Sequence, residues 1–419
     1  MTSLLLIALV LTLLLLRQNL FVILGSVTAY AYFVFAGEPL SGIILDAWSA
    51  LNKDILLSIP LYILAGNIMA QGAIADRLVR FMRALTGPVP GGLAIAAILS
   101  CAVFAAVTGS GTVTLVAIGS VMYPALLEAG YSKRFSLGAL CAAGTLGVII
   151  PPSIPLILFG VMTRTNIADL FLAGIGPGLL LTVLMLGYAM WCNRAGERQA
   201  WSGREIFSSL RTGIWALLMP VIILGGIYSG TFTPTESAAV AVVYAMLVET
   251  CIYRDLRVGD LSEVVLKTGV LLGSLFPVLM MAFSLNMFLT YQQVPEHMVA
   301  WLGERVTDPT VMLIGTNLFL LLIGCLMDIG SAILVLAPML APLAADQGIS
   351  LLHFGVIMVV NLEIGYLTPP LGLNLIVAMS VFREDFWTIC RAVLPFVGLM
   401  LVALLLISFY PSLSLGFVG

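Results

Sequence analysis

Apolar runs of membrane-span length recur along this chain from one end to the other, and this recurrence constrains the fold more than any other feature. A helix needs roughly 20 apolar residues to cross a bilayer. Such runs fall at 20–36, 54–71, 134–163, 169–192, 214–231, 237–252, 265–290, 353–382 and 389–416. A shorter run at 3–16 lacks a basic leader and a small-residue cleavage site, so it reads as a short first span. Of the 419 residues, 61% are hydrophobic and only 9% charged, against about 25% charged in soluble domains. Too few charges remain to cover a surface in water, which excludes the soluble classes and a nucleic-acid partner. The expected fold class is an all-α polytopic protein with the lipid bilayer as its solvent. Six cysteines without a CxxC pair and two isolated histidines, His297 and His353, offer neither a disulfide framework nor a transition-metal centre.

Two further apolar stretches, 91–128 and 311–344, carry small polar residues at their middles: Thr108-Gly-Ser-Gly-Thr112 and Asp328-Ile-Gly-Ser331. Their halves are short for full spans, so both read as re-entrant hairpins. Ten spans and two hairpins give one alternating topology with both termini outside. The cytoplasmic side then holds Arg17, Arg77, Arg80, Arg83, Lys133, Arg134, Arg194, Arg198, Arg204, Arg211, Arg254, Arg257, Lys267, Arg383 and Arg391. Only Lys53, Arg164 and Arg305 remain outside, as the positive-inside rule requires. Counting either hairpin as one crossing destroys that bias.

The same topology divides the chain into two like halves. Residues 1–192 hold five spans with a cytoplasm-facing hairpin, 193–213 form a polar cytoplasmic linker, and 214–419 hold five spans with a periplasm-facing hairpin. Five is odd, so the halves are inverted, an arrangement typical of secondary transporters with midplane sites. Amphipathic stretches at 72–86 and 295–306 lie just before each hairpin, along the membrane surface.

Each half repeats a Gly-Ser hairpin tip followed by a double proline: Gly109-Ser110 with Pro151-Pro152, and Gly330-Ser331 with Pro369-Pro370. A double proline removes two N–H donors and breaks a helix. Broken backbone is tolerated at membrane depth only inside protein or along a polar cavity, so the four breaks are expected to meet at one site. Half-helix ends there offer N–H groups to an anion and carbonyls to a cation. Ser110, Thr112, Thr145, Ser153, Ser331 and Thr368 add hydroxyl oxygens, while Gly109, Gly147, Gly330 and Gly365 allow close backbone approach. Candidates to contact substrate are Ser153, Asn374, Asp328 and Glu363. For the two acids a protonated or hydrogen-bonded helix brace is an equal reading, since the first half has no acid at the matching places and Glu363 aligns with Thr145. Asn361 and Asn374 face the second break, where both suit either capping of freed backbone or contact with substrate.

Five segments carry a resemblance: Ser58–Asn67 (SIPLYILAGN), Phe104–Gly111 (FAAVTGSG), Gly147–Pro155 (GVIIPPSIP), Phe232–Ala241 (FTPTESAAVA) and Gly355–Asn374 (GVIMVVNLEIGYLTPPLGLN). With them the chain resembles the large membrane subunit, DctM-like, of tripartite ATP-independent periplasmic (TRAP) transporters. The resemblance implies an elevator-type sodium symporter of the ion transporter superfamily, in the bacterial inner membrane. It implies two partners: a periplasmic solute-binding protein and a small DctQ-like membrane subunit, expected here as a separate chain. The implied substrates are organic anions such as C4-dicarboxylates, sialic acid, and keto or sugar acids. One implied sodium site joins Gly109 and Ser110 to Thr145, Gly147 and Pro151; the other joins Gly330 and Ser331 to Gly365 and Thr368. Many relatives carry Gly-Ser-Ala at the first tip where this chain has Gly-Ser-Gly-Thr, so Thr112 stands open between ligand and packing.

An enzyme and an ATP motor are not expected, and no cofactor beyond the coupling ion. The three lysines follow Asn52, Ser132 and Leu266, so no GK[ST] phosphate loop exists. An intramembrane hydrolase needs facing acids or a His-Glu metal motif, and inverted broken helices do not make a continuous channel. The alternative is a stand-alone sodium/carboxylate symporter that needs no binding protein.

Overall fold

Proline and glycine punctuate a chain that is otherwise helical. The computed structural model describes residues 2–16, 18–37, 39, 41–194, 200–303, 308–370 and 372–418. The expected positions of Arg17, Arg198 and Arg305, the end of the 295–306 stretch and part of the linker lie outside the described residues. The first half contains α1 (Thr2–Leu15), α2 (Leu20–Tyr30, continued by a π-helical turn at Ala31–Ala36), α3 (Ser41–Leu51), α4 (Ser58–Gln71) and α5 (Ile74–Thr86). It continues with α6 (Gly92–Thr108), α7 (Gly111–Glu128), α8 (Lys133–Ile149), α9 (Ile154–Thr163) and α10 (Ile167–Cys192). The second contains α11 (Gly203–Tyr228), α12 (Pro234–Leu247, with a π-helical turn at Val248–Tyr253), α13 (Val258–Tyr291) and α14 (Val294–Gly303). After them come α15 (Pro309–Gly324), α16 (Ile329–Asp346), α17 (Leu351–Tyr366), α18 (Leu373–Phe382), α19 (Phe386–Phe409) and α20 (Ser412–Leu415).

Local features recur at one spacing. The π-helical turns begin at residues 31 and 248, and left-handed Gly37 and Arg254 close them, both 217 residues apart. Left-handed Gly130 and Gly348 lie 218 apart, and Arg164 and Arg383 lie 219 apart. Hairpin and broken-helix boundaries match the sequence expectation within about two residues, the ordinary uncertainty of helix ends. Other places differ more, and α13 begins at Val258, seven residues before the expected 265. Residues 203–213, expected as linker, form the first turns of α11, whose N-terminus Ser202 caps by accepting the Glu205 N–H. An unexpected helix, α3, fills 41–51; at 11 residues it is too short for a span, so no span-length pattern marks it.

Helices from both halves form two layers. α2–α5 pack with α11–α13, and α6–α10 pack with α15–α20. The α8–α9 run is buried over 89% of its most apolar stretch, while α13 is buried over only 17% of its own. The second layer is therefore the interior, and α13 presents its sides to apolar surroundings. Among the described residues nine helices are long and apolar enough to cross a membrane, and these include α7 and α16. Length alone would let those two cross, but their N-termini lie at the level of helix breaks rather than at a surface. The Ile154 N–H, just past the break between α8 and α9, donates to the Gly109 carbonyl at 3.3 Å.

Amphipathic α5 buries Ile74, Ala75, Leu78, Val79 and Met82 and exposes Arg80 and Arg83. Glu249, at the end of the α12 run, pins its start, accepting from the Ala73 N–H at 3.2 Å and the Ile74 N–H at 2.9 Å. Arg77 on the next turn pairs with Asp255 at 2.6 Å and lies 3.6 Å over the Tyr253 ring. At the same end of the second layer, Glu384 ties α7 to α8 and α18. It accepts from Tyr123 Oη at 2.8 Å and pairs with Lys133 Nζ at 2.6 Å.

The Lys133 hydrogen bond, helped by that from Tyr123, holds the Glu384 carboxyl below the usual carboxylate range. A carboxyl depressed on folding adds stability that is present above its unfolded pKa and lost as pH falls through its folded value. Glu384→Gln should therefore lower the thermal midpoint of the detergent-solubilised protein at neutral pH. The gap from wild type should close as pH falls below about 4. A gap that persists or widens in acid would contradict this linkage.

Candidate functional site

The first hairpin turns in two residues. α6 ends at Thr108, Gly109 takes φ +60°, and Ser110 begins α7 without a side-chain cap. A Cβ on Gly109 would lie 2.7 Å from the Pro152 carbonyl oxygen, so glycine is required by both conformation and space. Hydroxyls crowd this turn: Thr108 and Thr114 are 3.0 Å apart, Ser110 and Thr112 3.2 Å apart. The second hairpin departs from the expected register. Gly330 and Ser331 lie in the first turn of α16, and Asp328 is the residue that caps it, its Oδ2 accepting from the Ser331 N–H at 2.9 Å. Asp328 stands 218 residues after Ser110, the same spacing as between the double prolines. The structural counterpart of Ser110 is thus Asp328 and not Ser331. A carboxylate caps a helix as well as a hydroxyl does, which is why matching Gly-Ser pairs misplaced the tip.

Each tip meets the broken helix of its own half through glycine. A Cβ on Gly147 would lie 2.5 Å from the Ser110 carbonyl oxygen, and one on Gly365 would lie 2.6 Å from the Gly324 backbone. Thr145 and Thr368 send their hydroxyl hydrogens back to Ala142 and Ile364 carbonyls at 2.6 and 2.8 Å. That leaves their oxygen lone pairs as acceptors. Pro151 ends α8 and sits beside Gly174 of α10. Both double prolines have a cis bond between their two members. Ser153 is fully buried and bonds within the break, donating to the Val148 carbonyl and accepting from the Leu156 N–H at 3.2 Å. Its hydroxyl serves as the α9 cap.

Both tips open on one cavity of about 220 Å³. Gly109, Ser110, Gly111 and Thr112 come from the first tip, and Asp328, Ile329 and Gly330 from the second. Val148, Ile154, Pro155 and Leu158 line it from the first broken helix, Tyr366 from the second, and Leu275 of α13 from the opposite layer. The N-terminal ends of α7 and α16 therefore converge there, bringing two positive dipole ends to one space. Tyr366, Leu158 and Leu275 were not singled out in the sequence; no spacing rule marks an aromatic or leucine that acquires its role by packing. A larger cavity of about 380 Å³, between α5 and the start of α11, touches neither tip nor break. Thr145, Gly147, Pro151, Ser153, Ser331, Gly365, Thr368, Glu363 and Asn374 are not among the residues lining the central cavity. Glu363 and Asn374 are fully buried, and the side-chain oxygens of both, with the Asn374 nitrogen, have no hydrogen-bond partner. Asn361 is not free backbone's cap: it donates to the Asn317 carbonyl and side-chain oxygens at 3.0 and 2.7 Å, holding α17 to α15.

Two layers of helices, with hairpins and broken helices converging inside one of them, define a multi-pass membrane protein of transporter fold. That fold is shared with the Alcanivorax borkumensis YdaH transporter, at a TM-score of 0.64 and 14% identity over 88% of this chain and 87% of that one. The chain belongs to the family described as the tripartite ATP-independent periplasmic transporter, DctM component, whose model matches residues 5–413. It is 39% identical to the C4-dicarboxylate TRAP transporter large permease protein DctM of Pseudomonas aeruginosa, over 94% of this chain and 92% of that one. It is 33% identical to the ectoine TRAP transporter large permease protein TeaC of Halomonas elongata, over 96% of each. It is also 36% identical to the isethionate TRAP transporter permease protein DctMQ of Oleidesulfovibrio alaskensis, over 94% of this chain and 63% of that longer one. These relatives are transporter permeases by name.

Gly147→Ala and Gly365→Ala each force a methyl group into backbone at the contact between tip and break. Overpacking of this kind costs about 1–3 kcal/mol. Each variant should unfold at a lower temperature in detergent, and Gly225→Ala, whose Cβ meets nothing within 4 Å, should not. Equal midpoints for all three would show that the tip-to-break contacts are not close.

Proposed function

We propose that this chain is the carrier subunit of a three-part uptake system in the bacterial inner membrane, moving a small organic anion inward together with sodium. The observation that carries this reading is the convergence of two helix N-termini on one cavity walled by the opposite layer. The uncapped N-terminal end of α7 favours a carboxylate or sulfonate group, that of α16 being held by Asp328, and the apolar walls at Leu158, Leu275 and Ile329 take its carbon frame. A cavity of about 220 Å³ is below the ~300 Å³ at which drug-sized sites begin. It favours an acid of C4-dicarboxylate size over a bulky sugar acid, and the names of relatives that act on C4-dicarboxylates and isethionate support small anions. Oxygen donors at the tips, without soft nitrogen or sulfur ligands, suit sodium as the coupling ion.

The recurring spacing of 217 to 219 residues supports two inverted halves, 1–192 and 214–419. Because each layer draws helices from both halves, the layer of α6–α10 and α15–α20 can slide as one body against α2–α5 and α11–α13, an elevator motion. The bare flanks of α13 fit cover by lipid or by a separate small membrane subunit, and the family's tripartite description supports a periplasmic binding protein that delivers the substrate.

In proteoliposomes containing this chain with its small membrane subunit, uptake of a C4-dicarboxylate should require added binding protein and an inward sodium gradient. A sodium ionophore should abolish it even with ATP present. Ser110→Ala should raise the sodium concentration needed for half-maximal uptake. Uptake without binding protein would favour the stand-alone symporter, and uptake driven equally by potassium would overturn sodium coupling.

A further inference from the structure

Glu363 is the most anomalous side chain in the molecule. It lies in the last turn of an apolar helix, α17, and is fully buried. Neither carboxylate oxygen has a hydrogen-bond partner among the described residues. Among the described residues, the ion pairs are Arg77–Asp255, Lys133–Glu384 and Lys267–Glu263, and none involves Glu363. An uncompensated carboxylate in a low-dielectric interior is costly, and an ionisable group inside a membrane points to function by default. A structural brace would show hydrogen bonds to the helices it braces. Glu363 shows none.

Its position is equally informative. Although Glu363 belongs to the second half, it reaches the tip of the first. Oε1 lies 3.4 Å from the point a Cβ on Gly111 would occupy, and the Gly144 carbonyl oxygen lies 3.3 Å from that same point. Gly111 is the first residue of α7, next to Ser110, and no side chain caps that helix end. Glu363 thus stands behind the tip while the substrate cavity lies in front of it. Glu363 is not among the residues lining that cavity, so it is not a direct substrate contact. A hard cation takes oxygen ligands, and the donors the first half brings to this tip are neutral carbonyls and hydroxyls: Ser110, Thr112, Thr145 and the backbone of Gly109 and Gly144; the Asp328 carboxylate across the cavity is engaged as the cap of α16. One full negative charge is what the set lacks, and Glu363 supplies it.

We propose that Glu363 is the charge partner of a cation bound at the first hairpin tip, so that the second broken helix completes a site built by the first half. The proposal rests on the sodium-coupled reading above and names a residue for it. It also gives a reason for ordered binding. With its charge uncompensated, Glu363 competes with the substrate anion for the positive end of α7. Once a cation neutralises it, that helix end is available to the substrate. Cation binding should therefore raise substrate affinity, and by linkage substrate should raise cation affinity by the same factor.

The test is thermal unfolding of the purified chain with its small membrane subunit, in detergent, titrated with sodium chloride against choline chloride at constant ionic strength. Wild type should gain stability with sodium, since a ligand of the native state stabilises it. Glu363→Gln should be at least as stable as wild type without sodium, because it removes an unpaired buried charge, and should need at least about tenfold more sodium for the same rise. Substrate affinity in this variant should lose most of its sodium dependence. Ser110→Ala should also weaken the sodium response without the sodium-free gain. If Glu363→Gln does not fold, Glu363→Asp is read in the same titration, and its shorter side chain should likewise shift the sodium midpoint upward. A variant at 363 that is destabilised without sodium yet keeps the wild-type midpoint would make Glu363 a structural brace and overturn the proposal. If that occurs while Ser110→Ala still shifts the midpoint, the sodium-coupled reading survives. A wild-type protein indifferent to sodium overturns both.

Discussion

Backbone polar groups deprived of water must find partners within the protein, and that constraint organises this molecule. Each unsatisfied N–H or carbonyl in hydrocarbon costs several kcal/mol, so a chain with four interrupted helices must bury the interruptions. Here the interruptions cover one another. The Gly109 carbonyl receives the Ile154 N–H across the first break, and Gly147 and Gly365 let backbone approach backbone without intervening side chains. The start of α16 is answered by the Asp328 carboxylate, whereas the uncapped start of α7 faces the shared cavity, where a bound anion can answer it.

Much of this was legible in the sequence because it follows from residue types with few conformational options. Pro151-Pro152 and Pro369-Pro370 can only break a helix, and the polar residues inside the apolar stretches 91–128 and 311–344 marked turns that the structure places at 109–110 and 325–328. What stayed hidden depends on which atoms meet. Aligning Gly-Ser with Gly-Ser put the second tip three residues late, since the N-cap position held by Ser110 in the first half is held by Asp328 in the second. Glu363 was legible as a buried acid beside the second break, but its contact with the first tip is a matter of helix packing between halves. Glu249 falls near the end of the expected span 237–252, and no sequence signal shows that its carboxylate receives two N–H groups at the start of α5. No periodicity announces such contacts.

The two layers differ in a way that bears on function. The layer containing the hairpins is packed through glycines and small side chains, with a polar thread from Asn361 through Asn317 to Ser408 and His353 stitching α15, α17 and α19. Tight packing and internal hydrogen bonds favour its moving as one body, because close-packed interiors shift between discrete arrangements rather than deform. The layer containing α13 contributes to the cavity chiefly through an apolar wall at Leu275. An apolar wall makes no directional bonds, so a loaded cavity can slide past it.

In the function proposed above, the hairpin-bearing layer carries the cavity past a fixed α13. The most direct test of that motion is the distance between spin labels at Val183 on α10 and Val270 on α13, both exposed, in a cysteine-free background reconstituted in lipid. The distance distribution is expected to shift by at least one helical turn, about 5.4 Å, between sodium-free conditions and sodium with substrate. A control pair within one layer, Val183 and Leu405, should stay unchanged. A Val183–Val270 distance identical under both conditions would contradict the account.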